Sequence, residues 1–266
     1  MTSNPAAIVP SSSNLIVPGV YGYDLEALPW RETPRGTVRE KAVRREAESG
    51  RFLGLLTFEP LSRSGVHQHT ATATSYFCAG SLVDYQGTTR EGAVGINLAG
   101  ATHDAVTYSG CTLVARLEGP VVIPADELAI HPHADAATVR NARPGTPPDI
   151  SIYLEQTVAV ATRFAGVMRR PVFDYAGTGT DRRLSGLTLW PRTGALRIRH
   201  TALADFFVIA GDLRIGDRVV TGPSFVVVEP GARLELSSDY GCTLLAWAEG
   251  PAWSEDAEDA ELYGFC

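Results

Sequence analysis

The stretch Gly65-Val66-His67-Gln68-His69-Thr70-Ala71 decides the fold. Side chains alternate along an extended strand, so His67 and His69 present their imidazoles to one face. Two imidazoles side by side are half of a transition-metal site. The flanks read as strands. Phe52 to Phe58 is apolar and free of proline, Ser75 to Ala79 is aromatic and apolar, and Gly80 then signals a turn. A third histidine, His103, follows the turn signal at Gly100. The functional reading depends on whether these three histidines meet.

The same stretch recurs. At an offset of 131 residues, His69-Thr70-Ala71 falls on His200-Thr201-Ala202, Ala79-Gly80 on Ala210-Gly211, and Leu82 on Leu213. Gly100-Ala101 falls on Gly231-Ala232, Gly110 to Leu113 on Gly241 to Leu244, and Glu118-Gly119-Pro120 on Glu249-Gly250-Pro251. Upstream, Gly54 to Pro60 matches Gly186 to Pro191 with one residue of slippage. A shared offset over this span implies two copies of one domain, roughly 46–125 and 166–255. Each copy is a run of short strands broken by glycines, such as Phe207 to Ile209 and Phe225 to Val228. Helical periodicity is scarce; Arg39 to Glu48 is its best stretch, charged and short. Many short strands at close spacing predict an all-β sandwich or barrel.

The sequence resembles the cupin superfamily. The first cupin motif, glycine, His-x-His, an acidic residue and a further glycine, reads here Gly65, His67, His69, Thr74 and Gly80. The second, proline-x-glycine-x-x-histidine, reads Leu98-Ala99-Gly100-Ala101-Thr102-His103 in the first copy and Glu229 to Leu234 in the second. The resemblance implies a bicupin: tandem jelly-roll barrels of the double-stranded β-helix type. Within the superfamily the chain looks most like the ChrR-type and acetylacetone-dioxygenase-like group, including its Pro29-Trp30 preamble. The expected organisation is an N-terminal arm and first strand (1–45), a metal-binding cupin (46–125) and a connecting segment (126–165). A second cupin with a degenerate site (166–255) and a solvated acidic tail (256–266) follow.

Composition narrows the class. The 266 residues carry a net charge of −7, which disfavours nucleic acid and anionic membranes as partners. No apolar run approaches the ~20 residues that span a bilayer. The N-terminal segment is proline-rich, lacks an early positive charge, and reads as an extended arm rather than a leader. Four cysteines, with Cys111 and Cys242 at one repeat position in apolar strands, fit buried thiols and a reducing, cytoplasmic setting. Cys266 is expected to be exposed. A homodimer is expected by analogy with other bicupins.

Neutral imidazoles from His67, His69 and His103 favour iron, copper, zinc, nickel or manganese over magnesium and calcium. Three protein ligands leave open positions for a chelating substrate and dioxygen. Family members usually place a glutamate about five residues after the second histidine, and Thr74 stands there. A hydroxyl is a poor ligand, so the resemblance implies a three-histidine site of the acetylacetone-dioxygenase sort, suited to an anionic chelate such as an enolate. Glu91 is a distant stand-in for the carboxylate. Thr74, Tyr76 and Cys78 share strand parity and are expected to line the pocket, with Arg116 weighed as a carboxylate or enolate binder against an outward position. In the second copy Ile198 and Leu234 replace the first and third histidines, leaving His200 and Asp205 at the acidic position. A metal-free barrel follows, with His200 an interior histidine. His131 and His133 flank Pro132 in the connection and read as loop histidines, or as a surface metal contact or lid.

The leading expectation is an iron(II) oxygenase cleaving a carbon–carbon bond of a β-dicarbonyl or hydroxyketone, with His67, His69 and His103 as both metal ligands and catalytic residues. The alternatives are a redox-neutral lyase or isomerase using zinc, manganese or nickel, and a ChrR-like sensor. The absence of a Cys-x-x-Cys pair weighs against the sensor.

Overall fold

The computed structural model describes residues 14–34, 36–123, 148–175 and 181–264, so His131, His133 and Cys266 lie outside the described residues. The chain divides into two compact units, one containing Pro29–Tyr153 and the other Pro10–Leu28 with Leu154–Cys266. Both are built from antiparallel strands. Among the described residues no helix is long and apolar enough to cross a membrane.

In the first unit the main sheet runs Asp149–Tyr153, Ala93–Asn97, Ala73–Asp84, Cys111–Leu117, Phe52–Phe58, Val38–Arg45, Arg31–Glu32. A small sheet of Thr102–His103, His67–His69 and Val121–Val122 accompanies it. In the second unit the order is Leu15–Val17, Val20–Asp24, Ser224–Val228, Ala204–Ile215, Cys242–Ala248, Arg183–Leu189, Val167–Asp174, Val160–Ala161. The repeat is exact in its strand bounds: Ala73–Asp84, Gly87–Arg90, Ala93–Asn97 and Cys111–Leu117 recur 131 residues later.

The upstream match differs from the sequence reading. Phe58 pairs with Cys111, and Leu189 pairs with Cys242, so these strands also obey the 131 offset without slippage. Gly54 and Gly186 are therefore not equivalent; one faces Ala115, the other Leu245.

The expected boundaries shift as well. Val20–Asp24, in the expected arm, pairs with Ser224–Val228 of the second unit. Asp149–Tyr153, in the expected connection, pairs with Ala93–Asn97 of the first. Ala260, Leu262 and Tyr263, in the expected tail, are buried in the second core, an apolar minority hidden among acidic neighbours. The charged stretch Arg39 to Glu48 is mostly strand, because Val38, Glu40 and Ala42 turn inward between outward basic residues.

Gly80 does not end its strand. Ala73 to Gly80 pairs with Cys111–Leu117, while Ser81 to Asp84 pairs with Gly87–Arg90. The glycine is the corner where one strand passes between layers. Its φ is 71° and that of Gly211 is 86°. A Cβ on either would lie 2.0 or 1.9 Å from the carbonyl oxygen of Gly110 or Gly241. Gly80→Ala should lower stability in urea by ~2 kcal/mol or more. Gly92→Ala, where φ is also positive but a Cβ meets nothing within 4 Å, should cost only about 1 kcal/mol. Equal losses would show that the carbonyl contact is irrelevant.

His200 is fully buried, with Nε2 3.0 Å from the Tyr263 hydroxyl and, among the described residues, no hydrogen-bond partner for Nδ1. Burial pushes its pKa down from 6.5 to about 4. As pH falls below 6.5 the unfolded chain takes up this proton first, so stability is lost until the folded pKa is reached. Urea unfolding at pH 7 and pH 5 should show about 2 kcal/mol of acid destabilisation that His200→Asn removes.

Candidate metal centre

Strand geometry explains why the three histidines meet. His67 and His69 are two apart on one strand, and His103 is the antiparallel partner of His67. Gly100 N–H donates to the His69 carbonyl at 2.7 Å, and Ala101 accepts from His69 N–H at 2.9 Å, which ties the turn before His103 to the histidine strand. Among the imidazoles, Nε2 of His103 lies 3.0 Å from Nε2 of His67 and 3.3 Å from Nε2 of His69. His67 and His69 are buried and His103 is half-buried.

The other ring nitrogens set the chemistry. Nδ1 of His67 lies 2.7 Å from the Gly65 carbonyl oxygen, which can only accept. Nδ1 of His103 lies 2.8 Å from Oδ2 of Asp149. Burial pushes the Asp149 carboxyl up, but hydrogen bonds from His103 and Asn97 and the nearby imidazoles outweigh it and hold it below its usual range. Asp149 is thus an anion that accepts from Nδ1–H of His103. With each ring neutral and protonated on Nδ1, the Nε2 atoms of His67 and His103 face each other as lone pairs, a contact that a proton or a metal ion between them relieves. Two nitrogens bound ~2.1 Å from one metal at a right angle stand ~3.0 Å apart, and ~3.4 Å at a tetrahedral angle. The observed spacings match, and the donor set fits a divalent transition metal.

Asp84 and Asp149 form a second grouping with His103, their ligand atoms within 4.8 Å of one another. Because Asp149 engages Nδ1 of His103, it stands behind that ring rather than before it and fixes its tautomer. Burial and the charge of Asp149 raise the Asp84 carboxyl. Asn97 Nδ2 donates to Oδ1 of Asp149 at 2.6 Å, and the Asp149 N–H donates to the Tyr85 hydroxyl at 3.1 Å. None of these partners stood out in the sequence. Asp149 lay in the expected connection, 46 residues from His103, and only the strand pairing reveals it.

The histidines open onto a cavity of about 480 Å³ inside the first barrel. One transverse row of paired residues crosses it: Arg45, Phe52, Leu117, Ala73, Asn97 and Asp149. The residue on the cavity side is therefore Ala73, not Thr74. The expected pocket set is corrected with it. Ala73, Ser75 and Phe77 line the cavity, whereas Thr74, Tyr76 and Cys78 do not. A one-residue slip in register turns every side chain to the opposite face. Arg116 pairs with Thr74 and lies outside the lining, its Nη1 donating to Glu118 Oε1 at 2.7 Å. Glu91 is exposed in a turn and acts electrostatically on Tyr76 and Cys78, so it is no fourth ligand. By the same register Asp205 pairs with Trp247, and Ala204 holds the inward position of the second barrel.

The second barrel shows what the first lacks. His67, Ser75, Gly95, Asn97, His103 and Asp149 correspond to Ile198, Phe206, Val226, Val228, Leu234 and Val20. All six replacements are buried in one apolar core. Among the described residues, no metal-ligand grouping falls in that unit. Its thiol at Cys242, like Cys111, is pushed by burial up to about 12 and is unreactive.

Comparison with known proteins agrees with this architecture. Residues 20–121 match the family described as the ChrR cupin-like domain. No curated protein sequence matches the chain. A candidate dioxygenase from Nostoc punctiforme PCC 73102 has a similar structure at 10% identity, with a TM-score of 0.69 over 94% of this chain and 88% of that one. An oxalate decarboxylase structure has a TM-score of 0.60 at 14% identity, covering 88% and 79%. The Bacillus subtilis oxalate decarboxylase, studied for its Mn(II) centres, gives 0.59 at 14% identity over the same shares. At these identities the likeness shows the fold and not the reaction. Residues 20–121 carry a match to the ChrR cupin-like domain, and the chain as a whole has the tandem cupin fold.

Proposed function

We propose that the first barrel is a metal-dependent oxygenase. It would hold one divalent metal, iron(II) by preference, through Nε2 of His67, His69 and His103. Its substrate would be a small chelating carbonyl compound, a β-dicarbonyl or hydroxyketone, whose carbon–carbon bond is cleaved with dioxygen. The observation that carries this reading is the approach of the His103 Nε2 atom to within 3.3 Å of those of His67 and His69 in the lining of a largely apolar cavity.

Bound there, iron(II) would supply Lewis acidity and electron exchange with dioxygen. The protein's own part is positional. Gly65 O and Asp149 keep the protons of His67 and His103 on Nδ1 and aim Nε2 inward. Ala73, also on the lining, offers a methyl group and no carboxylate to a metal. Phe52, Phe77, Leu113 and Leu117 wall the chamber and exclude water. Three neutral ligands would leave the charge of the metal uncancelled by the atoms that hold it, which favours an enolate over a neutral ketone.

The experiment is metal analysis of anaerobically purified protein. About one iron per chain is expected, and none in the His67→Ala/His69→Ala double variant. Oxygen uptake with diketones should then disappear in His103→Ala while far-ultraviolet circular dichroism is unchanged; an active His103→Ala would overturn the reading. Asp149→Asn should weaken metal affinity about 10–100-fold with little change in unfolding midpoint. The fold shared with an oxalate decarboxylase favours a second reading, a redox-neutral manganese, zinc or nickel lyase or isomerase. Full turnover under strict anaerobiosis would select it.

A further inference from the structure

One cation lines the cavity, and a backbone irregularity puts it there. Along Val38–Arg45 the inward residues begin with even numbers: Val38 faces Phe58, Glu40 faces Leu56 and Ala42 faces Gly54. The register then shifts, so that Arg44 faces Leu53 and Arg45 faces Phe52. Strict alternation would turn Arg45 outward with Arg39, Lys41 and Val43. The bulge restores it to the inner face, the kind of re-aiming that bulges perform beside binding sites. Arg45 and Glu40 both line the cavity.

The guanidinium is held but not used up. Nη2 of Arg45 donates to Oε2 of Glu40, and Cζ stands 5.0 Å from the centre of the Phe52 ring. A guanidinium carries five N–H donors in a planar fork. Among the described residues Glu40 is the one hydrogen-bond partner of Arg45, whose side chain is 33% exposed against 11% for Glu40. Glu40 and Phe52 fix the plane while other donor edges remain available to a ligand. Arg45 also lies on the transverse row that carries Ala73 and Asp149 beside the histidines. In the second barrel the charges are exchanged: register places Asp174 at the position of Arg45, facing Arg183, and Arg169 at the position of Glu40, 3.7 Å from Asp174.

We propose that Arg45 anchors a carboxylate arm of the substrate whose dicarbonyl end faces the histidines, so that the substrate class is the oxo- or dioxo-carboxylic acids. This rests on the metal-chelate reading above. A carboxylate meets the free edge of a guanidinium through two parallel hydrogen bonds, whereas a neutral alkyl arm leaves those donors unfilled.

The test uses full-length protein loaded with iron(II) under argon and titrated with two probes, pentane-2,4-dione and 4,6-dioxoheptanoate, followed by absorbance. Wild type should bind the carboxylated diketone about tenfold more tightly. Arg45→Met, which keeps a stem against Phe52, should bring the two affinities within about twofold, with iron content and pentane-2,4-dione affinity unchanged. Arg45→Lys should retain part of the preference through its charge. Equal affinities in wild type, or a preference that survives in Arg45→Met, would overturn the anchor and leave the chelate reading standing. Failure of iron-loaded wild type to bind either diketone would overturn both.

Discussion

The first barrel depends on the divided roles of the two nitrogens of His103. One donates to a buried carboxylate, and the other faces two imidazole nitrogens within 3.3 Å. Each side constrains the other. Without Asp149 the ring could carry its proton on Nε2 and bond to His67 as an ordinary donor. With Asp149 in place and the rings neutral, lone pairs converge on a point that suits a cation. The cavity, its polar end and its apolar walls are arranged around that point.

Repetition makes the argument comparative within one chain. The two units share strand bounds, a corner glycine and a bulged strand. They differ where side chains point inward. Isoleucine, phenylalanine, valine and leucine fill one interior, and histidine, serine, glycine, asparagine and aspartate leave the other open. Apolar burial stabilises the filled barrel directly. The open one forgoes part of that stabilisation and holds polar groups that must satisfy one another, as Asn97, Asp149 and His103 do.

Much of this was legible in the sequence. The repeat, the all-β architecture and the meeting of three histidines follow from spacing and alternation. The remainder was hidden for identifiable reasons. Thr74 and Ala73 are adjacent, and only pairing with Leu117 and Asn97 settles which faces inward. Arg45 is masked by a bulge that no local signal announces. Asp149 reaches its histidine across 46 positions, through a strand lying in what composition reads as a linker. Val38–Arg45 has helix-like charge content, yet its inward residues alternate, and tertiary pairing overrides propensity.

The exchange of outer strands has a temporal consequence. Val20 pairs with Val228, a partner made 208 positions later, while Asp149 supplies the matching edge of the preceding unit. During synthesis the segment near Val20 emerges long before Ser224–Val228 and has no sheet to join until that strand is made. It must wait as an unpaired strand beside a unit that already has its own edge filled. Contacts of such long range slow folding and prolong exposure of sticky edges. The halves of this chain are consequently not modules in series: a ribosome stalled at the midpoint would leave the first unit without Asp149–Tyr153, and with it without the carboxylate behind His103.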